Sequence, residues 1–301
     1  MESYDMVIIG AGPAGLCAAL YAARYKMKAV VIGQEPGGTV NEAAFMENWL
    51  GTKKIAGIEL MRNCIEHVKS YGVKMMEETV IDARKTKDGF AVRTAKGQYD
   101  GKTLLLAMGL KRRQLDVEGA DRFVGKGISY CFTCDAPLFR DAVVGVVGGN
   151  DSAAQGALLL SEYAKKVYVI YRGEPMRCEP VLLDKIRANG KIETIYNANV
   201  RKIFGEKMLQ KAELDNGRTI DVEGLFIEIG SVPSGAISQQ LGVAMDEKGY
   251  VKVNANCETN VPGVYCAGDL TDGPLKQMVS AAAQGATAAF CAFRLLKSAK
   301  K

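Results

Sequence analysis

Short apolar runs alternate along the chain with longer stretches of small or mixed residues, and the whole pattern occurs twice. Met6 to Ile9 is a continuous apolar run of strand length, which predicts a buried strand. It runs into Gly10-Ala11-Gly12-Pro13-Ala14-Gly15, and the small residues from Leu16 to about Tyr25 predict a closely packed helix. Ala29 to Ile32 is the next strand, so the opening is a βαβ unit. Gly57 to Ser70 reads as an amphipathic helix. Phe90 to Thr94 and Gln98 to Tyr99 predict an antiparallel excursion, and Thr103 to Leu106 a buried strand ending in Ala107-Met108-Gly109.

The second round begins at Val143 to Val147 and runs into Gly148-Gly149-Asn150-Asp151-Ser152-Ala153. A helix from about Ala154 to Tyr163 and the strand Val167 to Ile170 follow. Leu225 to Ile229, ending in Gly230, echoes the earlier run ending in Gly109. After Pro233 no third sheet begins: a turn, a strand at Tyr250 to Val253, the segment Val264 to Asp269 and a last helix remain. The expected fold is α/β, with two doubly wound nucleotide-binding domains. The first is discontinuous, residues 1–113 and 234–301, and the second, residues 114–233, is inserted into it. Hinges are expected near Arg113 to Val117 and near Gly230 to Pro233.

Length and composition fit this plan. A chain of 301 residues suggests two domains, and 48% hydrophobic with 24% charged residues is ordinary globular usage. No apolar run approaches the roughly 18 residues of a membrane span. The start of the chain shows no basic n-region or cleavage site, so a cytoplasmic protein without membrane association is expected. The net charge of +5 gathers at Lys111-Arg112-Arg113 and at Lys297 to Lys301, read as solvated surface and compatible with an acidic protein partner. No basic stripe is interleaved with aromatics, which argues against nucleic acid.

Two motifs carry chemistry. In Gly10-x-Gly12-x-x-Gly15 the first Gly permits a tight turn, the second admits a pyrophosphate and the third lets the helix approach the strand. A purely structural glycine turn is the alternative. The acid that holds a ribose in such sites has only Gln34 and Glu35 as candidates here. The second motif is Cys131-Phe132-Thr133-Cys134 followed by Asp135. Two cysteines at this spacing can close a small disulfide ring and exchange it with a partner thiol, and Asp135 beside the second cysteine could carry the proton. Half a zinc site is an alternative, but no second pair of ligands exists, so no metal is expected. Chance spacing among eight cysteines is another. The single histidine, His67, lies inside the amphipathic helix and reads as an ordinary helix residue. The other six cysteines, Cys17, Cys64, Cys178, Cys257, Cys266 and Cys291, read as small apolar residues.

The Gly-rich opening, Gly37-Gly38, Glu47-Asn48-Trp49, the CxTCD segment between two nucleotide-binding plans, and the GVYCAGD tail stand in this order. Over almost its full length the chain closely resembles the low-molecular-weight thioredoxin reductase family. The resemblance implies FAD as cofactor and thioredoxin as the protein reduced. Gly10, Gly12, Pro13, Ala14 and Gly15 would hold the FAD pyrophosphate. Gly33, Gln34 and Glu35 would lie by the adenosine ribose, and Val80 near the adenine. Gly38, Thr39 and Asn48 would line the flavin, with Gly109 also on the cofactor side; Thr39 stands where the family usually has Gln. Gly268 and Asp269 would meet the ribitol chain, and Lys276, Gln277 and Met278 the flavin pyrimidine edge, with Lys276 in place of the family's frequent Arg. Cys134 would face the flavin, Cys131 would attack the thioredoxin disulfide, and Asp135 would be the acid. Ala136-Pro137 replaces a common Gly-Phe and stiffens the loop. A homodimer is also implied.

The second nucleotide site departs from the pattern. The family's GxGxxA reads Gly148-Gly149-Asn150-Asp151-Ser152-Ala153, so Asn150 puts a side chain where a pyrophosphate would lie. The family's basic grip on the NADPH 2′-phosphate keeps Arg172 and Arg177, but Tyr171 replaces its His and Gly173 its second Arg. The site reads as a degenerate NADP site of Gly148, Asn150, Ser152, Arg172 and Arg177, which leaves NADPH or a donor such as reduced ferredoxin as the electron source. Two rival readings are a flavin-binding redox sensor without turnover and a ferredoxin–NADP reductase-like flavoenzyme. The second needs no CxxC.

Overall fold

The computed structural model describes residues 3–298. Ala299, Lys300 and Lys301, the end of the basic tail cluster, lie outside the described residues. The chain divides into two compact units. One comprises the chain up to Asn41, then Met46–Lys111, then everything from Val232 on. The other comprises Arg112–Ser231 together with Glu42–Phe45.

The first unit is built on a sheet of seven strands. In spatial order these are Lys74–Met76, Ala29–Ile32, Ser3–Ile9, Gln98–Leu106, Gly89–Thr94 and Val80–Thr86, with Val264–Cys266 also pairing to Gln98–Leu106. Strand Ser3–Ile9 lies parallel to both neighbours, with Ile9 opposite Ile32 on one side and Leu106 on the other. The two strands Gly89–Thr94 and Val80–Thr86 run antiparallel as an excursion. Val7, Ile9, Val30, Ile32, Leu104, Leu106, Val264 and Cys266 form the core of one face. The apolar ends of these parallel strands are buried under the helices that cover this part of the sheet.

Two expected elements differ. Gln98–Tyr99 and Thr103–Leu106 are the two ends of one strand of nine residues. The polar interruption at Asp100 to Lys102 hides the continuity, because there the strand pairs on both sides while Lys102 stays exposed. At Tyr250 to Val253 only Val251 makes bridges, to Met245 and to Thr271. Its neighbours pair with turn backbone and no ladder forms.

The last helix, Met278–Ser298, spans 21 residues and is apolar enough by length and composition alone to cross a membrane. Its buried stripe is Met278, Ala281, Gly285, Ala288, Ala289 and Ala292. Such small residues let it lie close against helix Pro13–Arg24, where a Cβ on Gly285 would stand 2.0 Å from the Ala14 carbonyl oxygen.

The second unit carries a five-stranded parallel sheet in the order Ile192–Ile195, Lys166–Ile170, Val143–Val147, Gly224–Ile227, Ile128–Ser129. Alternate residues face two separate cores. Val144, Val146, Val167, Val169 and Phe226 pack with helix Asp151–Tyr163. Leu225, Ile227 and Ile170 pack with a three-stranded antiparallel sheet, Val200–Gly205, Leu209–Leu214 and Thr219–Asp221. The helix expected from Ala154 begins at Asp151, one residue after its cap.

Candidate active site

In the first unit the Gly-rich turn joins strand Ser3–Ile9 to helix Pro13–Arg24. Gly10 has φ of 115°, and a Cβ there would stand 2.1 Å from the Ala107 carbonyl oxygen. A Cβ on Gly15 would stand 1.9 Å from the Gly10 oxygen. Both glycines are therefore demanded by packing. Gly12 is different: nothing lies within 4 Å of where its Cβ would be. Gly12 is also the N-cap and makes no side-chain cap bond, with Pro13 opening the helix. The helix start, the positive end of its dipole, therefore has no side-chain cap and open space beside Gly12.

Other expected cofactor residues converge on this turn. Gly37 N–H donates to the Ala11 carbonyl at 2.8 Å, and a Cβ on Gly33 would meet Ala11 N at 2.8 Å. Gly38 has φ of 59° and its Cβ would lie 3.3 Å from Gly12 Cα; Thr39 follows it on the short 3₁₀ turn Gly38–Glu42. Gly38 N–H donates to the Glu35 carbonyl at 3.0 Å. Gly268, with φ of 80°, would put a Cβ 3.2 Å from that of Ala14, so the tail of the chain returns to the same turn. Gly109 takes φ of 62° just past its strand. Thr79 Oγ1 donates to Gln34 Oε1 at 3.2 Å, which brings Val80 beside the end of strand Ala29–Ile32. Asn48 Nδ2 donates to Gln277 Oε1 at 3.2 Å, joining two flavin-side residues from distant parts of the chain. Met278 is buried as the first residue of the last helix.

Burial pushes the Asp269 carboxyl up from its ordinary range, and nearby Lys276 opposes this. Burial likewise pushes the Lys276 ammonium down. Lys276 donates to the Thr271 carbonyl and lies 4.2 Å from the centre of the Tyr250 ring. An open middle glycine, a helix start without a side-chain cap and a half-buried carboxyl at Asp269 able to accept from a hydroxyl fit FAD.

In the second unit Cys131 and Cys134 are joined as a disulfide with Cα atoms 5.3 Å apart. Cys131 caps the helical turn Phe132–Asp135, and Cys134 lies within it. Phe132 is buried against Gly156, whose Cβ would meet its ring at 3.0 Å, and this pins the turn to helix Asp151–Tyr163. Cys134 is exposed and Cys131 half-buried. The Cys134 N–H donates to Cys131 Sγ at 3.2 Å. The Asp135 carboxylate accepts from Ser129 Oγ at 2.7 Å, and Ser129 Oγ accepts from the Cys131 N–H at 3.0 Å. Sequence reasoning missed Ser129; its signal is a lone hydroxyl closing an apolar strand two residues before the first cysteine.

At the second Gly-rich turn the unit's own groups bond one another. Asn150 is the N-cap of helix Asp151–Tyr163, and its Oδ1 accepts from the Ala153 N–H at 3.3 Å. Asp151 Oδ1 accepts from the Glu179 N–H at 2.7 Å. The Ser152 hydroxyl is bonded to the Glu228 carboxylate. Burial pushes Glu228 up, while Arg112, 3.1 Å away, and Ser152 pull it back. The Arg112 guanidinium also bonds the Tyr130 carbonyl, next to Cys131. The Tyr171 ring lies over Gly149, where a Cβ would meet it at 2.3 Å. The Arg177 N–H donates to the Gly149 carbonyl at 2.6 Å, so this segment folds back over the turn that begins at Gly148. Arg172 and Arg177 are exposed. Glu228 was also missed; an acid within the apolar run Leu225 to Ile229 was its signal.

Burial pushes the Cys17 and Cys257 thiols up to about 11, and Cys64, Cys178, Cys266 and Cys291 are also raised. His67 sits in helix Gly57–Ser70 against Tyr71, with ring centres 5.8 Å apart. Among the described residues no group of three or more His, Cys, Asp or Glu could hold a metal ion.

The sequence pattern of the pyridine nucleotide-disulphide oxidoreductases matches residues 4–285. The chain belongs to that family. Within it, the chain is a member of the low-molecular-weight thioredoxin-disulfide reductases. It is 34% identical to a thioredoxin reductase of Peptoclostridium acidaminophilum over 299 residues, covering 95% of each chain. The crystal structure of T. acidophilum thioredoxin reductase matches with a TM-score of 0.94 and 35% identity, over 98% of this chain and 99% of that one. A ferredoxin-flavin thioredoxin reductase from Clostridium acetobutylicum matches with a TM-score of 0.55 and 32% identity, over 99% of both chains.

Proposed function

We propose that the enzyme reduces the disulfide of thioredoxin through Cys131–Cys134, with FAD as bound cofactor and a donor other than NADPH. The carrying observation is the contrast between the two Gly-rich turns. At Gly12 the space is open and no side chain caps the helix. At Asn150 the amide is capped, and the Ser152 hydroxyl is held by a carboxylate. An anion entering the second site would have to displace both and approach the Glu228 carboxyl. The likeness to a ferredoxin-flavin thioredoxin reductase supports reduced ferredoxin as the class of donor.

Gly10, Gly12, Pro13, Ala14 and Gly15 would hold the FAD pyrophosphate; Gly33, Gln34, Glu35 and Val80 the adenosine end; Gly38, Thr39, Asn48, Gly109, Gly268, Asp269, Lys276, Gln277 and Met278 the flavin side. Bound FAD supplies a two-electron carrier between donor and disulfide. The chain's own residues do the exchange chemistry. Once the disulfide is reduced, the Cys134 N–H is placed to hold charge on Cys131 Sγ, which makes Cys131 the attacking thiolate. Cys134 resolves the mixed disulfide, and Asp135 moves the proton. Hinges near Arg113 to Val117 and near Gly230 to Pro233, a homodimer and a cytoplasmic setting belong to the same proposal.

The test is anaerobic reduction of the purified yellow protein by NADPH, NADH and reduced ferredoxin in turn, followed by flavin absorbance with oxidised thioredoxin as acceptor. Ferredoxin should support turnover and NADPH should not. Turnover with NADPH at a micromolar KM contradicts the donor assignment. Colourless protein that takes up no FAD contradicts the whole reading.

A further inference from the structure

Ser129 ends the short strand Ile128–Ser129, is buried, and is held in register by pairing with Phe226. Its hydroxyl touches both ends of the CxxC turn. It accepts from the Cys131 N–H at 3.0 Å and donates to Asp135 Oδ2 at 2.7 Å. The turn is closed a second time by the Asp135 N–H, which donates to the Cys131 carbonyl at 3.1 Å. A hydroxyl has one donor and two acceptor sites. With the Cys131 amide filling one acceptor site, it can donate to an ionised Asp135 or accept from a protonated one. The same bond therefore survives when the carboxyl gains or loses a proton.

We propose that Ser129 is a positioning residue for thiol–disulfide exchange, holding Asp135 in one orientation through both of its protonation states. This rests on the reading of Asp135 as the proton carrier. In the exchange, a bond forms between Cys131 Sγ and one thioredoxin sulfur as the thioredoxin S–S bond breaks. The electron pair leaves on the other thioredoxin sulfur, which takes a proton from solvent to replace the one Cys131 released. Cys134 gives its proton to Asp135, attacks Cys131 Sγ and re-forms the enzyme disulfide. The first thioredoxin sulfur leaves with the bonding pair and takes the proton from Asp135. Thioredoxin gains two electrons and two protons, and the enzyme dithiol loses two electrons and two protons. Asp135 must hold and release a proton once per cycle, and Ser129 is the group that keeps it in place at each stage.

The test is single turnover. Dithionite-reduced enzyme, freed of excess reductant, is mixed with oxidised thioredoxin, quenched with acid and assayed for thioredoxin thiols. Ser129→Ala, Ser129→Thr, Asp135→Asn and the double variant Ser129→Ala/Asp135→Asn are compared. The maximal rate of Ser129→Ala should fall roughly tenfold or more, with half-saturation by thioredoxin within about twofold and FAD content unchanged. Ser129→Thr, which keeps the hydroxyl, should recover to within about threefold of wild type. The double variant should be no slower than Asp135→Asn alone, because Ser129 acts through Asp135. Equal loss in the Ala and Thr variants, or additive loss in the double variant, overturns the proposal in favour of a folding role. A silent Ser129→Ala beside a slow Asp135→Asn overturns the Ser129 assignment alone. A silent Asp135→Asn overturns the proton-carrier reading and this inference with it.

Discussion

An added Cβ at Gly12 meets nothing, while the matching position of the second turn already carries the Asn150 side chain in a capping bond. That one residue pair separates an open turn from one whose helix amide is bonded within the unit. The cysteines divide in the same way. The six outside the CxxC motif are raised by burial, and a thiol near pKa 11 is thiolate at pH 7 in only about one part in 10⁴. We expect iodoacetamide at pH 7 to leave the oxidised protein nearly unmodified and to label Cys131 first after reduction, as read by peptide mass mapping. Early labelling of Cys17 or Cys257 would contradict the burial argument. The CxxC motif and Asp135 were legible in the sequence because their spacing is local. Ser129 and Glu228 were not, because their partners lie across a turn and across a sheet.

At the scale of elements, the decisive contrast is between two helix starts. Helix Pro13–Arg24 begins with an uncapped Gly12, and helix Asp151–Tyr163 begins with a capped one. Replacing an Asn cap by Gly costs only a few tenths of a kcal/mol, so reopening the second site is a mild change. Gly173→Arg alone would crowd the Tyr171 ring, which lies 3.3 Å from the position of a Cβ at residue 173. The combination Asn150→Gly, Tyr171→His and Gly173→Arg should therefore raise NADPH-driven flavin reduction by about one to two decades, the value of one charge-assisted phosphate contact. An unchanged NADPH response in that variant, with FAD retained, would place the barrier elsewhere. The helices at Pro13–Arg24, Gly57–Ser70, Asp151–Tyr163 and Met278–Ser298 and the central parallel strands were legible because each is a continuous apolar or periodic run, whereas the short strands Lys74–Met76, Ile128–Ser129 and Ile192–Ile195 and the helix Pro180–Ala188 were not. The antiparallel sheet at Val200 to Asp221 was not, because its alternation is carried by exposed charged residues such as Arg201, Lys211 and Asp221.

For the whole molecule, the repeated plan of strand, Gly-rich turn and helix was legible because each copy carries its own landmarks. The return of the tail to the first unit rests on close approaches that no single segment reveals. Gly268 and Gly285 both need the absence of a Cβ to meet Ala14. The segment Glu42–Phe45, which clusters with the second unit, carried no signal of that in its composition. Two redox centres in one chain can be counted. Anaerobic dithionite titration of the wild-type protein should take about two two-electron equivalents per chain before the flavin absorbance is fully bleached, one for FAD and one for Cys131–Cys134. Cys131→Ser and Cys134→Ser should each take about one. Identical titres for wild type and both variants would contradict electron passage between the flavin and this disulfide.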